Sequence, residues 1–311
     1  MGIFSSLFGG NKTPEENKAK NFDILKYDGI RAMNIGKLTY AIKCFEEATA
    51  IQEDIETLQH QANCYTRVNR LDDARTLLVR ITELAPEQPL TFHALASLCY
   101  IQEDYKGMDE ACQKALALDA DNASTYFLAA KAAIGLSNGI QAIAMLTKAI
   151  VLNDQFTEAY QLRAEVLWAM RQPKDAEADV DKLLEMNPED ESALLMKAEM
   201  LIVGGNEEEA VQLMGEVLAL NPFCEKAYLL KGNYLLAKKE YDAAISVYDE
   251  ALEINPNFAQ AYHERGRAKL AKGDKQGSME DMKLAIEMAP EQGAAITGEY
   301  NNFEQQKNIP F

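Results

Sequence analysis

The chain lacks most of what a membrane-spanning, nucleic-acid-binding or catalytic protein needs. No apolar run in its 311 residues reaches the length that crosses a bilayer, about 18 residues or more. Basic residues are scarce: 31 Lys and Arg stand against 49 Asp and Glu, a net charge of -18 that repels phosphate backbones and anionic lipid surfaces. Nucleic acid is therefore excluded as an expected partner, and a membrane is disfavoured. Tryptophan occurs once, and the nine prolines and 17 glycines fall mostly at turns. The five cysteines, Cys44, Cys64, Cys99, Cys112 and Cys224, are odd in number and form no C-x-x-C pair. Cys64, Cys99 and Cys112 fall where a small or apolar packing residue is wanted and read as reduced core thiols without a metal or redox role, which suits a cytoplasmic location.

Catalytic and cofactor signals are equally thin. His60, His93 and His263 show no H-x-x-x-H spacing and read as polar surface residues. Gly204 and Gly205 are followed by no Lys-Ser or Lys-Thr that would complete a phosphate loop. Asp119-Ala120-Asp121-Asn122 lacks the glycine and the closing glutamate of a calcium loop, and reads as a junction between two helix pairs. No catalytic set, metal site or cofactor site is expected, and the chain is not expected to be an enzyme.

What is present is one unit, clearest from Glu225 to Pro256. Tyr228, Gly232 and Leu235 recur at i, i+4 and i+7, one face of a helix with a glycine where a second backbone comes close. Ala244, Tyr248 and Ala251 repeat the arrangement. Lys239, Glu240 and Tyr241 turn between the two, and Pro256 stops the second helix. The same beat divides the chain into 22–54, 55–88, 89–122, 123–156, 157–190, 191–224, 225–258 and 259–292, the first unit one residue short.

Three columns hold the register. A small residue in the first helix runs Gly29, Ala62, Ala96, Ala130, Ala164, Ala198, Gly232, Gly266. A second, opening the second helix, runs Ala41, Ala74, Met108, Ala142, Ala176, Ala210, Ala244, Ser278, with Met108 the bulky exception. A large residue four places before the first column runs Leu25, Leu58, Phe92, Tyr126, Tyr160, Leu194, Tyr228, Tyr262. Closing prolines stand at Pro86, Pro188, Pro222, Pro256 and Pro290. The physical sense is that crossing helices approach within about 8–10 Å only over Gly or Ala, with large side chains filling the holes alongside.

Eight such units in register resemble the tetratricopeptide repeat family over residues 22–290. The resemblance implies an all-α fold, a right-handed superhelical α-solenoid of tandem antiparallel helix hairpins. It also implies a non-enzymatic scaffold that binds an extended or helical segment of a partner protein in its concave groove. The lining falls on the first helices, one residue beyond the packing face. By that rule it comprises Lys26 with Ile30, Gln59 with Asn63, His93 with Ser97, Phe127 with Lys131, Gln161 with Glu165, Leu195 with Glu199, Leu229 with Asn233, and His263 with Arg267. The family's lysine–asparagine clamp for C-terminal carboxylates is absent as a set, because Ile30 follows Lys26 and Gln59 precedes Asn63. Phe127, Trp168, Leu195 and Leu229 make the middle of the lining apolar, and repeats four to seven are the expected anchor region. Ile134, Ile202 and Leu236 are set aside as packing residues. The basic residues Arg163, Lys197, Lys231 and Arg265 are read as buried stems with solvated heads. Self-assembly through the groove or the end hairpins is an alternative to partner binding.

The ends are read separately. Residues 1–13 form an expected flexible tail, whose Met1-Gly2 and Ser6 match a myristoylation pattern and leave a membrane-linked adaptor as a further alternative. Thr13-Pro14-Glu15-Glu16 is a capping box, so a helix should start near Pro14 and run into the first repeat of one solenoid domain over 14–292. Lys269 departs from its apolar column, as suits a terminal repeat facing water. Ile296, Tyr300 and Phe303 suggest a short capping helix within 293–311.

Overall fold

The computed structural model describes residues 13–290, and among them it holds sixteen α-helices and no strand. The helices pair in succession. α1 (Pro14–Asn34) and α2 (Leu38–Ile51) form the first hairpin, α3 (Ile55–Arg67) and α4 (Leu71–Leu84) the second, α5 (Pro89–Ile101) and α6 (Tyr105–Leu118) the third. α7 (Ala123–Gly135) and α8 (Gly139–Leu152) form the fourth, and α9 (Thr157–Ala169) and α10 (Pro173–Met186) come next in the chain, on either side of the boundary between its two compact units. α11 (Glu191–Gly204) with α12 (Glu207–Leu220), α13 (Glu225–Ala237) with α14 (Tyr241–Ile254), and α15 (Ala259–Lys272) with α16 (Lys275–Met288) complete the series. The chain divides into two compact units, Met1–Met170 and Arg171–Phe311. The first and last expected features, the tail with its acylation pattern and the capping helix within 293–311, lie outside the described residues.

Local chemistry accounts for the helix ends. α1 opens on the expected capping box, in which Thr13 Oγ1 accepts the Glu16 N–H at 3.2 Å and Glu16 Oε2 accepts the Thr13 N–H at 2.8 Å. Asp54, Asn122 and Asp190 cap α3, α7 and α11 through their side chains. At the junctions, Asn153, Asn187, Asn221 and Asn255 each accept the backbone N–H two residues on. Asp119 does the same for Asp121, so that acidic stretch is a junction, as read from the sequence.

The turn inside each hairpin has one fixed conformation. The same position has positive φ in all eight repeats: Gly36, Asn69, Glu103, Ser137, Arg171, Gly205, Lys239 and Gly273. After Gly36, Asn69, Glu103, Ser137, Gly205, Lys239 and Gly273 the next residue returns its N–H to a carbonyl five residues back, from Lys37 to Ala32 at 2.9 Å through Asp274 to Lys269 at 2.9 Å. Only three of the eight are glycine. In the other five an L side chain sits in the left-handed region, costing about 1–2 kcal/mol each, and at Asn69, Glu103, Ser137 and Lys239 the closing hydrogen bond holds it there.

Size is matched across hairpins within each unit. An added Cβ at Gly29 would collide with the Phe45 ring, and one at Gly232 with the Tyr248 ring. Where the column holds Ala and both helices lie in one unit, the residue sixteen places on is smaller than those rings: Leu78, Cys112, Leu146, Met214. The second column is fully buried throughout, Met108 and Ser278 included. Met108 fits because Ala96, Cys99, Ala111, Cys112, Ala129 and Ala132 surround it.

Candidate functional site

The second face of the first helices is best described unit by unit. In the first unit, α3 and α5 leave a cleft of about 530 Å³ between them. Its polar lining is Gln59, Asn63, Thr66, Thr91, His93 and Ser97; its apolar lining includes Ala62, Leu78, Leu90, Ala94, Leu98 and Ile101. Leu90 and Ile101 are 70% and 52% exposed, so the apolar surface reaches the mouth. Gln59, Asn63, His93 and Ser97 are the second-face residues of repeats two and three. The sequence expectation instead locates the anchor region in repeats four to seven, on the apolar residues Phe127, Trp168, Leu195 and Leu229. The signal for the cleft was present at other positions, Leu90 and Ile101 at the two ends of α5.

One repeat further on, Phe127 is half-buried, its ring 5.0 Å from that of Phe156. Lys131 Nζ lies 4.8 Å from the Phe127 ring and 4.7 Å from the Tyr100 ring, so its charge is held between two aromatic faces. On α9, Gln161 donates to Glu165 at 3.2 Å, and Trp168 is half-buried. Lys26, the second-face cation of the first repeat, is buried against the next hairpin, 2.9 Å from Asp54 and 2.6 Å from Glu56. Its burial works against the ammonium, and the hydrogen bonds it donates to Glu56 and Asp54 more than reverse this, so its pKa is raised. His60 and His93 do not form a pair: His60 stacks on Phe45 and His93 bonds Thr125. Both are half-buried.

The second unit uses the same face differently. Leu195 is 2% exposed and belongs to a core cluster with Leu194, Val217 and Ala227, packed by Leu184, Leu213, Leu218 and Leu230. The expectation of an accessible groove leucine is corrected there: a β-unbranched side chain at that angle reaches the neighbouring hairpin. Ile202 and Leu236 pack into adjacent clusters, as expected of them. Leu229 is half-buried, and exposed Asn233 accepts the Tyr248 hydroxyl at 2.9 Å. Glu199 is half-buried. His263 contacts Glu264 at 3.2 Å, and Arg267 donates to Glu264 at 2.8 Å. Burial pushes the Glu264 carboxyl up, but His263 and Arg267 more than compensate and hold it below the ordinary glutamate range.

Two of the basic column residues are latches. Lys197 Nζ is 2.7 Å from Glu177 and 2.8 Å from Asp181 on α10. Arg265 grips buried Asp281 on α16 through two hydrogen bonds, at 2.6 and 2.8 Å, and Asp249 on α14 at 2.6 Å. Lys269 is corrected as well: it does not face water but lies 2.8 Å from the same Asp281. A buried carboxylate needs such compensation, and two cations supply it.

Among the described residues no group of three or more His, Cys, Asp or Glu is placed to hold a metal ion, and no helix is long and apolar enough to cross a membrane. Comparison with known proteins gives three family matches: tetratricopeptide repeat over 167–234, TPR repeat over 232–273 and tetratricopeptide repeat over 259–292. No curated protein matches the chain. Among solved structures it is similar to a tetratricopeptide repeat protein from Parabacteroides merdae, at 20% identity and a TM-score of 0.64, covering 76% of this chain and 93% of that one. The C-terminal part of a TPR repeat-containing protein from Cytophaga hutchinsonii gives 13% identity and 0.63, covering 77% and 98%. MamA from Desulfovibrio magneticus RS-1, from residue 41 onward, gives 16% and 0.52, covering 55% and 97%. With eight register-matched units in the sequence, successive helix pairs within each compact unit and repeat models matching over 167–292, the chain carries tetratricopeptide repeats.

Proposed function

We propose that this protein, like tetratricopeptide repeats generally a protein-interaction scaffold, holds an extended or helical segment of a partner protein on the second face of its first helices. The observation that carries the reading is the α3/α5 cleft, a preformed hollow with exposed Leu90 and Ile101 at its mouth and hydrogen-bonding groups on its walls. Phe127 and Lys131 extend the same face in that unit, as do Gln161, Glu165 and Trp168 on α9. In the second unit Glu199, Leu229, Asn233, His263 and Arg267 contribute a separate stretch. No catalytic step is assigned to any of them.

The test places a photo-crosslinking amino acid at exposed Asn63 in the cleft and, separately, at exposed Val79 on α4 outside it. Irradiation of the intact protein in its own cell should yield protein adducts at 63 and not at 79. Equal labelling at both, or none at 63, sinks the reading.

A further inference from the structure

The chemistry of the α3/α5 cleft narrows what it can take, an inference that rests on the reading above. None of its twelve lining residues carries a formal charge, although charged residues make up 26% of the chain. Its one titratable ring, His93, has its pKa pushed down by burial and is neutral at pH 7.

The proton on that ring is fixed by its neighbour. Asn122 Oδ1 accepts the Thr125 backbone N–H at 2.9 Å and the Thr125 hydroxyl at 3.1 Å. With its hydrogen committed, Thr125 Oγ1 accepts from His93 Nδ1 at 2.9 Å, which leaves Nε2 as an acceptor. Thr91, also on the wall, is 3% exposed, and its hydroxyl has no partner within the fold. Gln59 and Asn63, one turn apart on α3, each offer both a donor and an acceptor. Such a set matches uncharged peptide groups.

Carboxylates fare badly here. The second-face lysines of the flanking repeats are both engaged, Lys26 by Asp54 and Glu56, Lys131 by the Tyr100 and Phe127 rings. An entering carboxylate would lose water and find no cation in return. The chain's net charge of -18 meanwhile attracts positive segments and repels negative ones at long range.

We propose that the α3/α5 cleft takes a polypeptide stretch with an uncharged aliphatic anchor between basic flanking residues, and refuses acidic segments and C-terminal carboxylates.

The experiment pans a random-peptide display library on the full-length protein and measures the enriched peptides, labelled, by fluorescence anisotropy. Enriched peptides should carry Leu, Ile, Val or Met between Lys or Arg. Replacing the anchor by Asp, or the flanks by Glu, should weaken binding at least about tenfold. Raising salt should weaken the basic-flanked peptides, since their attraction is screened. Ile101→Glu should lose them, and Gln59→Lys with Asn63→Lys should shift enrichment to acidic peptides. Enrichment of acidic or carboxylate-terminated peptides that Ile101→Glu abolishes would overturn this inference and leave the site standing. Peptides unmoved by both Ile101→Glu and Leu90→Glu bind elsewhere and would overturn the site itself. No enrichment, together with adducts at position 63, would overturn the peptide chemistry in favour of a folded partner surface.

Discussion

The two units apply one repeat to opposite ends. In Met1–Met170 the second face of α3 and α5 is lined by polar side chains, and it stays open. In Arg171–Phe311 the corresponding positions are richer in leucine, and Leu195 closes into the core while Lys197, Arg265 and Lys269 are tied to carboxylates. Apolar content is thus a poor guide to an open binding face in a repeat protein. A leucine at that angle lowers its free energy by burial against the next hairpin, roughly 1.5–3 kcal/mol, whenever the neighbour is within reach. A carboxamide or hydroxyl gains nothing from the same move and leaves the hollow unfilled.

The sharpest way to break this contrast is to place one charge in each unit. Leu195→Glu should cost more than about 4 kcal/mol and unfold the second unit, because it buries an unpaired carboxylate. Ile101→Glu, at a half-exposed site, should stay within about 0.5 kcal/mol. Urea unfolding followed with hydrogen exchange for each unit reads both, and comparable losses would erase the distinction.

Asp281→Ala comes next. It strands Arg265 and Lys269 against a buried site, and the second unit should lose about 3–5 kcal/mol. A loss under 1 kcal/mol would mean that the latch is ornamental. Gly232→Ala should cost about 1–3 kcal/mol through its collision with Tyr248. Combined with Tyr248→Leu, it should cost less than the two single changes added, and strict additivity would argue against size matching. Gly205→Ala, which has open space for its Cβ but a φ of 84°, isolates the backbone term at about 1–2 kcal/mol.

The smallest effect is a pH step confined to the first unit. Burial lowers the His93 pKa in the folded state, so below the ordinary value of 6.5 the unfolded chain takes up the proton first. Stability is therefore full above about pH 6.5 and declines as the pH falls from there towards the folded pKa. His93→Gln should remove that step from exchange data on α5 and leave the later loss, as the pH drops below the ordinary carboxyl range, in Glu264 and the second unit. A step that survives the substitution would assign it elsewhere.

Much of the fold was legible without coordinates. Period, hairpin, helix stops, the Thr13 cap and the Gly/Ala crossings follow from spacing alone, since spacing sets the angle at which a side chain leaves its helix. The left-handed turn was half legible: Gly36, Gly205 and Gly273 mark it, but Asn69, Glu103, Ser137, Arg171 and Lys239 conceal it. The site was the least legible part. Spacing alone puts Phe127, Lys131 and Asn233 at equivalent positions of their helices, but the partners that engage them come from residues such as Tyr100, Phe156 and Tyr248, which spacing within one helix does not relate.

By itself, then, the amino-acid order determined that this protein is a run of helix hairpins in register and which side chains share each helical face. Only the tertiary structure decided which of those faces stayed open. Openness depends on the distance to the neighbouring hairpin and on the bulk of what that hairpin presents, so Leu195 is sealed in while Leu90 and Ile101 stand at the mouth of a cleft.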